Sequence, residues 1–314
     1  MLNVSRLRVL REVATRGSFS AAAEELAYTQ SAVSQQIATL EKEVGARLLE
    51  RSPRGVTLTE PGRVLLGHAE VILGRLAEAE AELDALTGLR AGRLRLTTFA
   101  TAGATIMPRA IRAFRERYPE IELTLDPAEP PEVRAALRAG EADICVTIDA
   151  ADEPFDDTGE FELEHLLDDP MLILLPTEHR LAQVDGPVDL RDLADERWIL
   201  GSGDTCPDPR MHLRACQKAG FEPNVSYQTD DYMAVQGFVA SGWGVAFVPD
   251  MALVTARDDV VARSLVGGAP VRRIHAAMVA GTWESPSRRA MLDILREVGA
   301  GWEAERGAVE AARV

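Results

Sequence analysis

Residues 17–62 read GSFSAAAEELAYTQSAVSQQIATLEKEVGARLLERSPRGVTLTEPG. The stretch predicts a short helix, a tight turn, a second helix with a polar outer face, and a basic hairpin. Working outward, residues 5–16 before it form an amphipathic helix, with Leu7, Leu10 and Val13 on one face at three-residue spacing. Gly17 ends that helix as a left-handed cap residue. Ser18 caps the next one, where Phe19, Ala22, Ala23 and Leu26 make an inward stripe whose alanines let two helices cross closely. Tyr28-Thr29 is the turn, and Thr29 is placed to cap the third helix.

In the third helix Val33, Ile37, Leu40 and Val44 recur at spacings of four, three and four, so all are expected to face a small core. Ser31, Ser34, Gln35, Ala38 and Lys42 fall on the opposite side. Short hydroxyls, an amide and a methyl with little charge suit base edges in the major groove of DNA, where glutamine pairs with adenine. Gln30, at the helix start, reaches either a base or a phosphate. Arg51 and Arg54 flank the tip of a hairpin between strands 48–50 and 56–58, suited to phosphate contacts or to minor-groove entry. The competing reading is a polar face that meets only water.

The string AAAEELAYTQSAVSQQIATLEKEVGARLLERSPRGVTLTEPG resembles the N-terminal signature of LysR-type transcriptional regulators. The match runs from the alanine-rich helix through Thr29-Gln30-Ser31-Ala32-Val33-Ser34, Gln36-Ile37 and Leu40-Glu41 to the wing and the Leu58-Thr59…Gly62 exit. It departs at Leu49, where the family usually has phenylalanine, and at Tyr28. Neither lies on the proposed groove-facing side. The resemblance implies a winged helix-turn-helix on a dimer, with a co-inducer bound in a two-lobed C-terminal domain.

A chain of 314 residues is too long for this head alone, and two or three folding units are expected. The net charge of −16 divides unevenly: residues 1–59 carry eight Lys/Arg against six Asp/Glu, the remainder 26 against 44. The acidic part repels phosphate, so DNA affinity must come from local positive groups and short-range contacts. No apolar run is long enough to span a bilayer, and the charged N-terminus has no signal segment, so a cytoplasmic, nucleoid-associated protein with no membrane partner is expected.

Thr59-Glu60-Pro61-Gly62 opens a further helix, with proline in the first turn. From there Leu65, Ile72, Ala79 and Leu86 repeat every seven residues, and Ala69, Leu76 and Leu83 interleave. That seam suits a second copy of the chain; Leu65, Ile72, Leu76 and Leu83 are the expected dimerisation residues. Two heads related by a two-fold axis would read an inverted repeat in a promoter. The resemblance implies a dimer, commonly assembled into a tetramer.

Gly88–Gly92 is a hinge by composition (residues 88–92), and strand and helix patterns alternate after it, as in a parallel α/β sheet. Strands are expected at 93–99, 122–125, 143–148, 171–175, 197–200, 225–228, 244–248 and 273–279, with helices at 108–118, 131–139, 207–219, 231–241 and 286–300. The chain leaves one lobe near 164–169 and returns near 264–272, the layout of periplasmic solute-binding proteins. Ligands in such sheets bind beyond the carboxyl ends of strands. Those ends bring together Ala100, Thr101, Ile148, Gly201, Ser202, Thr205, Thr229 and Asp230 as the expected effector site, although such residues also serve as helix caps. The free backbone amides there suit an anionic or carbonyl group, whereas Asp204, Asp230 and Asp231 suit an amine.

The fold expected is therefore α/β and multidomain: a winged helix-turn-helix at 1–59, a linker helix at 60–88, and a periplasmic-binding-protein-like domain at 89–305. Its first lobe comprises 93–164 and 270–305, its second 165–269, and 306–314 form a flexible tail. No cofactor, metal or catalytic site is expected, since the five histidines are scattered and Cys145, Cys206 and Cys216 lack metal-ligand spacing. The function expected is a DNA-binding, effector-responsive transcriptional regulator. The alternatives are a cysteine-based redox sensor of the same fold, in which Cys206 gains a lowered pKa at a helix N-terminus, and a cytosolic solute-binding protein.

Overall fold

The computed structural model describes residues 2–52, 55–86, 92–150, 153–156, 158–184, 186–202, 206–282 and 285–311. Arg54, Thr205 and hinge residues 88–91 lie outside the described residues. The N-terminal elements are α1 (Val4–Arg16), α2 (Phe19–Glu25), α3 (Gln30–Val44), β1 (Leu49–Ser52), β2 (Gly55–Leu58) and α4 (Glu60–Leu86). Each helix start is capped as its sequence demands. Asn3 accepts from Ser5 and Arg6, Ser18 from Ala21, Thr29 from Ala32 and Thr59 from Gly62. Gly17 and Gly45 close α1 and α3 in the left-handed conformation. Between α2 and α3 the left-handed residue is Ala27, one position ahead of the expected turn.

Leu7, Leu10, Val13, Phe19, Ala22, Ala23, Val33, Ile37 and Leu40 form one core with Leu48 and Leu49. Val44 does not join it. It is 38% exposed, because α3 ends there and Gly45 turns the chain away. Instead Glu41 fixes the exit, its Oε1 accepting from the backbone N–H of Leu48 at 2.8 Å and of Leu49 at 3.3 Å. The wing is tied back by Val56 N–H donating to the Gly17 carbonyl at 2.9 Å. Only glycine fits at position 55, where φ is +124° and a Cβ would lie 2.9 Å from that carbonyl oxygen.

The linker helix corrects the expected seam. Ala69 is buried in the core of the head and Leu65 packs against it, so the first heptad belongs to its own domain. Farther along, Ile72, Leu76 and Leu83 are 41%, 44% and 61% exposed.

The C-terminal unit is built from β3 (Arg93–Thr98), α5 (Ala100–Ala104), α6 (Ile106–Arg117), β4 (Glu122–Pro127), α7 (Pro130–Arg138), β5 (Ile144–Asp149), β6 (Phe161–Pro176), β7 (Arg197–Leu200), α8 (Asp208–Lys218), β8 (Asn224–Gln228), α9 (Tyr232–Ala240), β9 (Val245–Pro249), β10 (Val260–Arg263), β11 (Val271–Val279) and α10 (Pro286–Ala311). Among the described residues the sheet runs β4-β3-β5-β11-β6-β9-β7-β8, with β10 also on β6. It is mixed rather than parallel. Strand β3 pairs parallel with β4 and β5, and β7 with β8 and β9, but β11 and β6 run antiparallel through the middle. The physical reason is the double crossover, since one chain segment must enter the second half and another must return.

The outward crossing is a single long strand. The first part of β6, up to Pro170, pairs with β11, and Met171–Leu174 pair with β9. Leu94, Ile106, Phe114, Ile148, Ile274 and Leu295 center one core, and Met171, Ile173, Trp198 and Phe247 another. Successive residues of β6 point to opposite faces, so Leu174 joins Ile199, Val235 and Val248 on the other side. Helix α10 continues to Ala311, past the point where a flexible tail was expected. It sits close on β6, for a Cβ at Gly299 would lie 2.3 Å from the Leu166 carbonyl oxygen. Among the described residues, no helix is long and apolar enough to cross a membrane.

Candidate functional site

Burial separates the two faces of α3. Val33, Ile37 and Leu40 are fully inside, while Gln30, Ser31, Gln35, Ala38 and Lys42 are exposed and Ser34 is half-buried. Ser31 is held by the cap, its Oγ 3.0 Å from Oγ1 of Thr29. Several nearby arginines are engaged. Arg6 pairs with Glu43 and donates to Gln36, and Arg16 pairs with Glu25 and Glu12. Lys42 and the exposed Arg8 and Arg47 have no carboxylate partner among the described residues. Arg51 lies on β1 opposite Val56.

A cavity of about 110 Å³ opens beyond the strand ends of the C-terminal unit. It gathers Ala100 and Thr101 after β3, Ile148 of β5, Gly201 after β7, and Thr229 and Asp230 after β8, all of them expected there. Ser202 is not on its wall. Its N–H donates to Asp230 Oδ1 at 2.9 Å and its hydroxyl to Asp230 Oδ2, so it orients the carboxylate instead.

The residues that set the electrostatics were not singled out from sequence. Arg272, 2% exposed, enters from β11. Its Nε donates to Asp169 Oδ2 at 3.1 Å, Nη1 to Asp208 Oδ2 at 3.0 Å, and Nη2 to Thr101 Oγ1 at 3.0 Å and again to Asp169. Burial works against its charge, but Asp208 and Asp169 outweigh that and hold the guanidinium protonated. Tyr232 donates its hydroxyl to Asp208 Oδ2 at 2.9 Å, and Asp169 Oδ1 accepts from Met251 N–H at 3.0 Å.

Two buried groups on the wall lack partners among the described residues: Asp208 Oδ1, and both ring nitrogens of His212. His212 stacks on Phe247 at 4.7 Å, and burial holds it neutral by lowering its pKa from 6.5 to about 4. Cys206 also lines the cavity, but burial and then the negative charge of Asp208 push its thiol well up. A sensor thiolate needs the reverse. Cys216 is buried in a different core, its thiol pushed up to about 12 by burial.

Residues 4–63 match the bacterial regulatory helix-turn-helix protein, lysR family, and residues 87–300 match the LysR substrate binding domain. A probable HTH-type transcriptional regulator LrrA from Synechococcus elongatus is 33% identical over 94% of this chain and 97% of its own. The chain belongs to the LysR family of transcriptional regulators. Solved LysR-type folds agree with the architecture. A full-length OxyR variant from Pseudomonas aeruginosa superposes with TM-score 0.69 at 24% identity, covering 95% of each chain. CbnR, a LysR family transcriptional regulator, gives 0.65 at 20% identity over 95% of this chain and 99% of its own.

The LysR substrate-binding match encloses every described residue of the cavity, Arg272 included. The expected strand 273–279 begins one residue after Arg272, and a charge at a strand start looks like an outward-facing position. The signal available was weak: Arg272 lies 103 positions from Asp169 and 64 from Asp208.

Proposed function

We propose that this LysR-family chain reads an inverted repeat in promoter DNA through Gln30, Ser31, Ser34, Gln35 and Lys42 of α3, with Arg51 and Arg54 of the wing on the adjoining backbone. The observation that carries the reading is the exposure of that polar face, set against the complete burial of Val33, Ile37 and Leu40 on the other side of the helix. A surface of amides and hydroxyls approaches bases without the cost of stripping water from a fixed charge.

In this proposal residues 1–59 are the DNA-binding head and 60–88 the linker, paired with a second copy through Ile72, Leu76 and Leu83 into a homodimer that assembles further into a homotetramer. Residues 89–305 hold a small effector in the cavity lined by Thr101, Thr229, Asp230 and Arg272. An effector changes DNA binding or activation only by binding one arrangement of the chain better than another, commonly by a few kcal/mol. The protein acts by binding rather than by catalysis, in the cytoplasm at the nucleoid.

Selection of bound duplexes from a random pool by the full-length protein tests the reading. A two-fold symmetric consensus is expected, and Gln35→Ala should relax one base position in each half-site, a loss of about 1–3 kcal/mol of discrimination. A pool that yields no consensus at moderate salt overturns it.

A further inference from the structure

The cavity wall carries three carboxylates, Glu129, Asp208 and Asp230, and among the described lining residues one permanent cation, Arg272. That cation is already satisfied by Asp169, Asp208 and Thr101. Two sets of backbone donors beside the cavity that would welcome an anion are spent as well. Ser202 N–H is taken by Asp230, and the first amides of α9, at Met233 and Ala234, are taken by the side chain of Asp231. At α8 the chain places its own carboxylate, Asp208, in the first turn, where the helix favors negative charge.

What remains unused on the wall is one carboxylate acceptor and the two ring nitrogens of a histidine. Asp208 Oδ1 is buried and unpartnered among the described residues, and His212 offers both an acceptor nitrogen and an N–H. Phe99, Ile148 and Phe247 supply the apolar surface around them. Burial, and then repulsion from Asp208 and Asp230, raises the pKa of Glu129, as expected of a site with an excess of negative charge.

We propose that the effector taken by this cavity is a small organic amine, cationic at neutral pH, whose ammonium donates to Asp208 Oδ1 while its apolar body lies against Phe99, Ile148 and Phe247. This rests on the reading that the cavity is the effector site. It reverses the anionic preference that free strand-end amides suggested, because in the folded chain Glu129, Asp208 and Asp230 line the space beside those amides. A carboxylate placed here would meet three others in a site of low dielectric, whereas an ammonium relieves them.

Calorimetric titration of the full-length protein with benzylamine, benzyl alcohol and benzoate, which share a ring and differ in head group, tests the class. Benzylamine should bind about tenfold or more tightly than the other two. Asp208→Asn should weaken it by about tenfold. Because Asp208 also braces Arg272, Glu129→Gln serves as a second variant and should weaken benzylamine several-fold with the fold intact by thermal melting. Thr229→Trp, at the half-exposed rim, should abolish binding. Benzoate binding as tightly as benzylamine, or benzylamine not binding, overturns the amine class; if Thr229→Trp removes the benzoate signal, the cavity remains the effector site. Benzylamine binding that survives Thr229→Trp overturns the location.

Discussion

The outer face of α3 and the wall of the C-terminal cavity are both polar, yet they are polar in opposite ways. On α3, Gln30, Ser31 and Gln35 lie exposed, and each donor or acceptor that lacks a protein partner meets water at little cost. At the cavity Arg272, Asp208 and His212, with Asp169 behind them, are buried, so each of their polar atoms must find a partner in the fold or wait for one. Position along the chain tells the same story. The α3 face is written within thirteen consecutive residues, 30–42. The cavity joins β3, β5, β11 and the starts of α8 and α9. A surface set for one partner can be local; a buried charge network cannot.

The largest expected effect breaks the cavity side of this comparison. Arg272→Met leaves Asp169 and Asp208 buried without their cation and should cost about 3–5 kcal/mol in urea unfolding. A loss under about 1 kcal/mol would show that water enters the network and screens the two carboxylates.

A second effect, of similar size, concerns His212. Its pKa lies below the ordinary value when folded, so the unfolded chain takes up a proton first as the pH falls. Stability from this group is complete above about 6.5 and drains away as pH falls toward about 4, a loss of roughly 3 kcal/mol. Melting temperature against pH should therefore fall across that window in the native protein and fall less in His212→Phe, which keeps the stacking on Phe247. An identical pH profile for the two proteins would remove His212 from the account.

The smallest stability effect belongs to α3. Gln35→Ala should change unfolding stability by no more than about 0.5 kcal/mol, the ordinary range for an exposed substitution. A larger loss would mean that the side chain packs inside the molecule, and the distinction between the two regions would blur.

The helix caps at Ser18, Thr29 and Thr59, the glycine ends of α1 and α3, and the inward stripe of Val33, Ile37 and Leu40 were legible because each depends on residues within one or two turns. The strand ends that meet at the cavity were legible for the same reason, and Ala100, Thr101, Ile148, Gly201, Thr229 and Asp230 all line it. Val44 misled because periodicity does not say where a helix ends relative to its core. Leu65 and Ala69 misled because a heptad seam does not say which partner covers it, and here the head itself covers the first repeat. The thiol of Cys206 misled because a helix start promises stabilization of a thiolate, while burial beside Asp208 takes it away.

Sequence alone determined the LysR-type head, the helical linker and the alternating strands and helices beyond it, since local hydrogen bonding and hydrophobic period are fixed by near neighbors. Tertiary structure alone decided that the long β6 carries the outward crossing, that Arg272 is locked between Asp169 and Asp208, and that Asp230 and Asp231 take the amides of Ser202 and of the start of α9. Those outcomes depend on which distant groups share a low-dielectric space, and the energy of a charge is set by that company rather than by its place in the chain.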